Sequence, residues 1–294
     1  MILITGGTGF IGQYFVNKML EKDYDIRLLV RNEKKADIFS SKIEIFKGDA
    51  TRIDTLKGIS KDIDVVVHLA GAISLKKEEN FLANRLTTEN ILKVCNNVEK
   101  IVYTSSADAF GPIVGIADEN YPCRPNNPYG ASKVQAEHMI LNSGISSIIF
   151  RPTLVYGIGS PWWKYGMSLL KFGFIPDTKN FINLVHVKDV SNALMIGVKK
   201  GKGIYIIADS KPIKIADVFA NVVRLLGKTP RKVPTWLIKI VATIMMQREY
   251  FEVALTNRVF SVKKAETKLR WYPKCVYDIE MKNMVEWYKN LNKD

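Results

Sequence analysis

The sequence predicts an α/β fold in which helices cover both faces of a doubly wound parallel sheet, with a smaller C-terminal part. Through about residue 150, short apolar segments alternate with segments of helical periodicity. The short segments are apolar throughout, as expected for strands buried on both faces of a parallel sheet. The length of 294 residues is sufficient for one large domain with an addition. We expect the sheet domain to span residues 1–160. The smaller part, 161–294, should return some segments to the core sheet.

The predicted elements follow one another in a regular order. Strands are predicted at residues 1–5, 26–30, 43–46, 63–69, 101–104 and 147–150. Helices are predicted at residues 10–20, 34–39, 53–59, 80–95 and 129–141. The first helix places Ile11, Phe15, Met19 and Leu20 on one face. After residue 151 the alternation weakens, which indicates elements built onto the sheet rather than a separately linked domain.

Charge and cysteine content limit the classes of function. The net charge is +14, and residues 211–294 contribute +9, from 17 basic and 8 acidic side chains. We favour a solvated lysine-rich surface, with attraction of an anionic ligand as the alternative. Nucleic-acid binding is not expected, because the basic residues form no dense run. The three cysteines show neither metal-ligand spacing nor a disulfide framework, so we expect no metal and a cytoplasmic location. Neither a signal peptide nor an apolar run of membrane-spanning length is seen.

A glycine-rich turn follows the first predicted strand directly. Glycines at positions 6, 9 and 12 permit a sharp bend, close approach to a pyrophosphate and tight packing of the next helix. The N-terminus of that helix points its N–H groups at the phosphates. The position between strand and helix is the context that a dinucleotide-binding turn of the Rossmann type requires. The expected cofactor contacts of the turn are Gly6, Thr8, Gly9, Phe10, Ile11 and Gly12.

The ends of the next three predicted strands supply further cofactor contacts. Arg31 stands where an acid often binds the adenosine ribose, and its guanidinium suits a 2′-phosphate, so we predict NADP(H), with NAD(H) as second choice. Asp49, followed by Ala50, can accept a hydrogen bond from adenine or cap the next helix; both interpretations remain open. His68 is interpreted as a packed structural histidine. The cofactor is expected to lie against Leu69, Ala70 and Gly71.

A serine, a tyrosine and a lysine form the predicted catalytic set. Tyr129 and Lys133, four residues apart, share a face of a helix that Asn and Pro residues introduce. A tyrosine pKa of about 10 is too high for a base at neutral pH. We expect the Lys133 ammonium and the helix N-terminus to lower the pKa of Tyr129. Ser106 can hold the substrate oxygen, with Ser105 as the alternative, and Thr104 ends the same strand beside the cofactor. Such a set transfers protons between Tyr129 and an alcohol or carbonyl oxygen.

These residues resemble those of a known family, the extended short-chain dehydrogenases/reductases. This family includes NAD-dependent epimerase/dehydratases and dihydroflavonol-reductase-like enzymes. The similar segments are residues 6–12, 48–49, 68–71, 104–106, 110–111, 129–133, 151–157, 185–190 and 269–273, together with Asn84 and Asn90. The resemblance implies a nicotinamide cofactor and a Ser106–Tyr129–Lys133 catalytic set. It also implies that Pro152 and Val155 line the nicotinamide, and that the protein forms a homodimer through a four-helix bundle.

Departures from the family pattern bear on the substrate. Dehydratases of the family usually have an Asp-Glu pair where this sequence has Ala107 and Asp108. Its sugar-nucleotide epimerases often have Asn at the position of Thr153 and Arg near that of Ile182. We therefore predict an NADPH-dependent reductase that moves a hydride between nicotinamide and a carbonyl or alcohol carbon of a small molecule. A UDP-sugar 4-epimerase is the alternative. A non-catalytic dinucleotide-binding sensor or assembly protein is the alternative of another class.

Residues 161–294 are expected to supply mainly substrate-binding elements. Trp162 and Trp163 can stack on a flat substrate or pack a loop onto the core, and both interpretations remain open. His186 is interpreted as structural. The apolar stretch 236–246 is too short to span a bilayer, and we interpret it as core or as the lid of a cleft. Contact with a membrane surface is the less favoured alternative for this stretch.

Overall fold

The computed structural model of this protein describes residues 1–39, 43–71, 77–244 and 256–291. Its strands are β1 (Ile2–Thr5), β2 (Ile26–Val30), β3 (Ile43–Lys47), β4 (Val65–His68), β5 (Lys100–Thr104), β6 (Ile116–Ala117), β7 (Ser146–Pro152), β8 (Leu154–Tyr156), β9 (Phe174–Asp177), β10 (Phe181–Ile182), β11 (Leu184–His186), β12 (Gly203–Ile207), β13 (Ile213–Lys214), β14 (Arg231–Pro234) and β15 (Val259–Phe260). Its α-helices are α1 (Phe10–Leu20), α2 (Lys77–Val94), α3 (Pro128–Leu141), α4 (Pro161–Leu170), α5 (Val187–Lys199), α6 (Ile215–Leu225), α7 (Thr235–Ile244) and α8 (Tyr277–Asn290).

A seven-stranded sheet in the order β12-β7-β5-β4-β1-β2-β3 forms the centre of the molecule. Every neighbouring pair in it is parallel. Helices α1 and α5 pack together on one face of the sheet, and α2 and α3 on the other, with a hydrophobic cluster beneath each pair. The chain changes direction across the sheet between β1 and β4, the point at which doubly wound sheets bind ligands. The predicted fold class is confirmed.

All six predicted strands lie in this sheet, and α1 has the predicted bounds. The helices predicted at residues 34–39 and 53–59 are wrong, because the chain forms single 3-10 turns at Glu33–Ala36 and Ile53–Leu56. Each of these turns buries one side chain, Ala36 and Leu56 respectively. So little buried apolar surface does not offset the cost of nucleating a longer helix.

Residues 161–294 add an edge strand and most of a further group of buried apolar residues, which we call the second hydrophobic cluster. Strand β12 pairs with β7 and completes the central sheet. The second cluster lies among α4, α6 and α8, and Trp163 within it is fully buried. The division of the chain at residue 160 stays a prediction. Within the described ranges, no helix has the length and apolar character needed to cross a bilayer.

Helix α7 includes most of the apolar stretch that we interpreted as core or lid. The interpretation as core is wrong for Trp236, Leu237 and Ile240, which are exposed to solvent, although Ile238 is buried. The helix is held by its contacts with β9 and β14, and that limited support leaves its outer face open. Residues 245 and 246 lie outside the described part of the chain.

Candidate active site

The glycine-rich turn lies at the switch point, between the carboxyl ends of β1 and β4. Gly6 has a φ of 73°, and a Cβ atom on it would come within 2.6 Å of the Ala70 nitrogen. A Cβ atom on Gly12 would overlap the Gly6 carbonyl oxygen. The turn and the segment after β4 therefore pack as closely as backbones allow, and side chains at these positions would separate them.

The N-terminus of α1 is open toward this turn. Its N-cap is Gly9, which supplies no side-chain hydrogen bond, and its first turn contains no acidic residue. Unpaired N–H groups and the positive end of the helix dipole together favour an anion at this point. Thr8, Phe10 and Ile11 are half-buried beside it. The cradle fits a pyrophosphate group.

Arg31 and Asp49 meet at the adenosine end of the predicted cofactor site. Arg31 is exposed immediately after β2. Burial alone would raise the pKa of Asp49, but hydrogen bonds from Thr51 and the charges of Arg31 and Arg52 lower it below the usual value. The helix-cap interpretation of Asp49 is wrong, because Arg52 is the N-cap of the following 3-10 turn and Asp49 Oδ1 accepts from the Thr51 amide, 2.9 Å away. Its contact with adenine stays a prediction, as does that of the buried Ala50.

Helix α3 positions the tyrosine and the lysine. Its N-cap is Asn127, whose Oδ1 accepts from the Gly130 amide at 2.7 Å, and Pro128 is its first residue. One turn further, the Lys133 Nζ donates to the Thr104 carbonyl oxygen at 2.9 Å and lies 5.7 Å from the centre of the Tyr129 ring. Burial lowers the pKa of Lys133 to about 8, although the nearby Glu137 carboxylate acts against this shift.

The two serines after β5 point in different directions. Ser106 forms a side-chain hydrogen bond with Tyr129, and its Oγ accepts from the Asp108 amide at 3.1 Å. Ser105 is buried, and its Oγ donates to Glu137 Oε1 at 2.5 Å. Ser106 is therefore the serine of the candidate site, and Ser105 belongs to the support beneath it.

The environment of Tyr129 keeps its phenol protonated. Burial raises the pKa of Tyr129 far above its usual value, the Asp108 carboxylate raises it further, and the Ser106 hydrogen bond acts in the other direction. The predicted lowering by Lys133 is wrong for this structure, because burial and Asp108 raise the pKa and the group that acts against them is Ser106. Asp108 is itself held by Arg258, whose Nη2 lies 2.6 Å from Asp108 Oδ1.

The strand ends beside α3 contain two buried hydroxyls and several half-buried apolar residues. The hydroxyls of Thr104 and Thr153 are buried without a hydrogen-bond partner in the described chain. On the α3 side, a Cβ atom on Gly71 would lie 3.2 Å from Lys133 Nζ. Pro152 is buried at the end of β7, and the half-buried residues Leu69, Ala70 and Val155 line the neighbouring strand ends. Contact of these residues with the nicotinamide, implied by the family resemblance, stays a prediction.

The sequence analysis missed the roles of three charged side chains near the site. Glu137 and Arg151 form a buried ion pair beneath Ser105, with 2.5 Å between Arg151 Nη2 and Glu137 Oε2. Glu137 lies four residues after Lys133 and therefore on the same face of α3, a spacing that could have indicated a charged group near the site. Arg258 reaches Asp108 from a distant part of the chain, and no motif in the sequence indicates it.

Both histidines that we interpreted as structural are buried. His68 Nδ1 lies 2.7 Å from the Thr5 hydroxyl, and burial together with the Lys133 charge lowers the pKa of His68 to about 3. His186 caps α5, and its ligand atoms lie within 4.8 Å of those of Cys275 and Glu280. Because the His186 Nδ1 accepts from a backbone amide and the Glu280 carboxylate binds Lys188, this group is already satisfied without an ion.

The two tryptophans at the start of α4 differ in surroundings. Trp163 is packed in the second hydrophobic cluster, so stacking on a substrate is excluded for it. Trp162 is half-buried and meets Trp163 edge-to-face at 5.1 Å between ring centres. They belong to a helix, with Ser160 as N-cap, rather than to a loop. Ile182, near whose position sugar-nucleotide epimerases of the family often have an arginine, is buried in β10.

Comparison with known proteins places this geometry in context. The sequence profile of the NAD dependent epimerase/dehydratase family matches residues 2–208. A Methanocaldococcus jannaschii protein named "Putative UDP-glucose 4-epimerase" is 31% identical over 100% of both chains. A Synechocystis protein named "Putative dihydroflavonol 4-reductase" is 30% identical over 80% of this chain and 75% of its own. The crystal structure of UDP-glucose 4-epimerase with UDP-glucose from Thermotoga maritima superposes with a TM-score of 0.82 at 21% identity, covering 99% of each chain.

Proposed function

Because the chain belongs to the NAD-dependent epimerase/dehydratase family and is an enzyme of the extended short-chain dehydrogenase/reductase type, we propose that it is an NADPH-dependent reductase of a ketone or aldehyde carbon in a small molecule. The observation that supports this direction is the buried position of the Tyr129 phenol beside Ser106 and Asp108, which raises its pKa and favours its protonated form. A protonated phenol is the form that delivers a proton to an oxygen as negative charge develops on it.

Each residue of the set has a separate task. A bound nicotinamide cofactor supplies the hydride that reduces the carbonyl carbon. Ser106 donates a hydrogen bond to the carbonyl oxygen and holds it beside the phenol. Tyr129 Oη gives its proton to that oxygen, so that one hydride and one proton complete the alcohol. Lys133, anchored on the Thr104 carbonyl, places positive charge next to the phenolate that remains.

The preference for NADPH is proposed from Arg31. Its exposed guanidinium follows β2 at the place where the adenosine ribose of a dinucleotide lies in such sheets. A guanidinium pairs with a phosphate through two parallel hydrogen bonds, whereas the ribose hydroxyls of NADH offer it no charge.

Fluorescence titration of the purified protein with NADPH and NADH tests this preference. Before the titration, the purified protein is checked for a dinucleotide that co-purifies with it. We expect Arg31→Asp to weaken NADPH binding by roughly 10- to 100-fold and to leave NADH binding unchanged or improved. Arg224→Asp, an equal charge change on the exposed side of α6, is the control. Equal loss of both cofactors in Arg31→Asp, or NAD that co-purifies and does not exchange, would contradict the proposal.

Tyr129→Phe tests the chemistry separately from binding. The substitution removes the proton donor and keeps the ring, so we expect carbonyl reduction to fall by about 10²- to 10⁴-fold while NADPH still binds. The measurement is the decrease in NADPH absorbance with a panel of ketones and aldehydes. If the variant retains the wild-type rate, Tyr129 is not the acid.

A UDP-sugar 4-epimerase is the second candidate, and the full-length similarity to the Methanocaldococcus jannaschii protein supports it. Such an enzyme oxidises and re-reduces one sugar carbon, so the cofactor shows no net change. The test is to incubate the protein with UDP-glucose, without added cofactor, and to measure the formation of UDP-galactose by chromatography. Turnover there, combined with firmly held NAD, would replace the reductase proposal.

A further inference from the structure

Five large apolar side chains are exposed together on one side of the C-terminal part. They are Phe172, Phe174, Trp236, Leu237 and Ile240, with exposed fractions of 66%, 52%, 62%, 39% and 48%. We call this set the apolar face. Single exposed apolar residues are ordinary on protein surfaces, but a contiguous group including a tryptophan and two phenylalanines indicates contact with something apolar.

The backbone makes this face continuous. Strands β9 and β14 pair in parallel with Phe174 opposite Arg231, and the Arg231 amide donates to the Gly173 carbonyl at 2.8 Å. Strand β14 ends at Pro234 and α7 begins at the next residue. Helix α7 then contacts both strands. The turn after α4, the edge of this small sheet and the outer side of α7 therefore form one surface.

The side chains of α7 divide between the protein and the solvent. Ile238 is buried, with an exposed fraction of 9%. Trp236 and Ile240 lie one turn apart on the outer side, and Leu237 lies beside them. An amphipathic helix that lies on a bilayer presents its apolar side outward in this way.

Basic side chains surround the apolar face. Residues 171–180 and 226–240 contain six basic side chains and one acidic side chain. The six are Lys171, Lys179, Lys228, Arg231, Lys232 and Lys239, all exposed. The acid is Asp177, which pairs with Lys232 at 3.3 Å and leaves the other five basic groups in excess. Interfaces between protein copies are depleted in lysine, whereas anionic lipid surfaces attract it.

We propose that this apolar face binds the surface of a bilayer that contains anionic lipid. Trp236, Leu237, Ile240 and the two phenylalanines enter the boundary between headgroups and acyl chains, where a tryptophan ring is favoured. The surrounding lysines and Arg231 contact the lipid phosphates, and their aliphatic stems cover the edge of the apolar area. This proposal does not depend on the nature of the reaction that the enzyme catalyses.

Flotation of the full-length protein with vesicles tests the proposal. The vesicles contain phosphatidylcholine alone or phosphatidylcholine with a minor fraction of phosphatidylglycerol. We expect binding to the second kind, weakened by at least about tenfold in Trp236→Ser/Ile240→Ser, because two apolar anchors are lost. Ile279→Ser, which removes an isoleucine of 58% exposure from α8, is the matched control and should bind as wild type.

Two charge-reversal variants isolate the electrostatic contribution to vesicle binding. Lys228→Glu/Lys239→Glu changes the rim of the apolar face, and Lys22→Glu/Lys61→Glu makes the same change in net charge outside it. We expect only the first to lose binding to the anionic vesicles, by roughly tenfold or more. Quenching of Trp236 fluorescence by brominated lipid, absent in Trp236→Phe, adds a direct measure of insertion.

Three outcomes would overturn the proposal. The first is that wild-type protein does not float with either kind of vesicle at low salt. The second is that Trp236→Ser/Ile240→Ser binds as tightly as wild type. The third is self-association in light scattering that this variant abolishes, without vesicle binding, which would identify the occupant as a second copy of the chain. Since none of these measurements uses cofactor or substrate, failure here leaves the proposed reaction untouched.

Discussion

Asp108 acts on two groups of the candidate site, Ser106 and Tyr129. Its backbone amide donates to Ser106 Oγ, its carboxylate raises the pKa of Tyr129, and Arg258 holds that carboxylate. The arginine neutralises part of the charge that acts on the phenol. We therefore expect this ion pair to adjust the pKa of the proton donor, which burial raises most. Asp108 is exposed by 26% and Arg258 by 16%, so solvent screens the pair only in part.

Substitutions of Asp108 and of Arg258 should shift the pKa of Tyr129 in opposite directions. Asp108→Asn removes the negative charge and leaves Arg258 positive, so the pKa of Tyr129 should fall. Arg258→Gln leaves Asp108 unpaired, so that pKa should rise. The measurement is the pH dependence of kcat/KM for alcohol oxidation. Because this direction requires the phenolate, kcat/KM rises with pH, and the rising limb should move to lower pH in Asp108→Asn and to higher pH in Arg258→Gln. Shifts of the same sign in both variants would show that the pair acts only on structure.

At the scale of elements, α3 is fixed to the sheet by buried charge. The Glu137 carboxylate on α3 receives hydrogen bonds from Arg151 on β7 and from Ser105 after β5. These contacts hold the helix against both strands whose ends form the site, and Arg151 also lies 4.6 Å from the centre of the Phe110 ring. The orientation of Tyr129 and Lys133 therefore depends on a group that takes no part in the reaction.

Removal of one member of this buried pair should be costly. We expect Glu137→Gln to lower the free energy of unfolding by about 3–5 kcal/mol, because the Arg151 charge is left buried without a counter-charge. Urea denaturation followed by circular dichroism measures the change. Glu286→Gln, in an exposed pair on α8, should change stability by less than about 1 kcal/mol. The double variant Glu137→Leu/Arg151→Met should recover most of the loss, and a loss equal to the sum of two single changes would contradict this account.

The elements that the sequence predicted well are those whose local signals agree. For α1, the glycine turn and the apolar periodicity coincide, and for α3 the Asn127 cap, Pro128 and the Tyr129–Lys133 spacing coincide. The 3-10 turns were predicted as helices because periodicity over a few residues does not reveal how little surface is buried. The rise in the pKa of Tyr129 could not be predicted, since it depends on burial and on Asp108. Arg258 acts 150 positions away in the chain, beyond any local pattern.

Over the whole molecule, the C-terminal part completes the candidate site. Strand β12 pairs with β7 up to Pro152, and β15 pairs with β6, which follows the turn that carries Asp108. The Glu119 carboxylate accepts from the Ile206 amide and ties the same region to β12. The sheet that binds a dinucleotide is thus encoded mainly by the first half of the chain, and the surroundings of the reacting groups by both halves. The homodimer implied by the family resemblance stays a prediction, which light scattering can test.

Two buried groups, the Lys133 ammonium and the His68 imidazole, make the stability of the whole molecule depend on pH in a predictable sense. The pKa of Lys133 is lowered from 10.5 to about 8, so between these values the unfolded chain holds a proton that the folded chain has released. Stability therefore rises with pH across this window, and the cost of burying the ammonium is fully present below about pH 8. The pKa of His68 is lowered from 6.5 to about 3, so stability falls as the pH drops below 6.5.

Lys133→Met removes the first of these two dependences while it keeps the stem of the side chain. The free energy of unfolding of this variant, minus that of wild type, should be largest below about pH 8 and should decrease by at most about 1.4 kcal/mol per pH unit toward pH 10. Urea denaturation at several pH values measures the difference, with Lys57→Met, an exposed lysine, as the control. A difference that is constant across the window would mean that Lys133 keeps its proton in the folded protein. The ammonium beside Tyr129 would then stay charged between pH 8 and 10, and the rising limb of the oxidation profile would belong to the phenol alone.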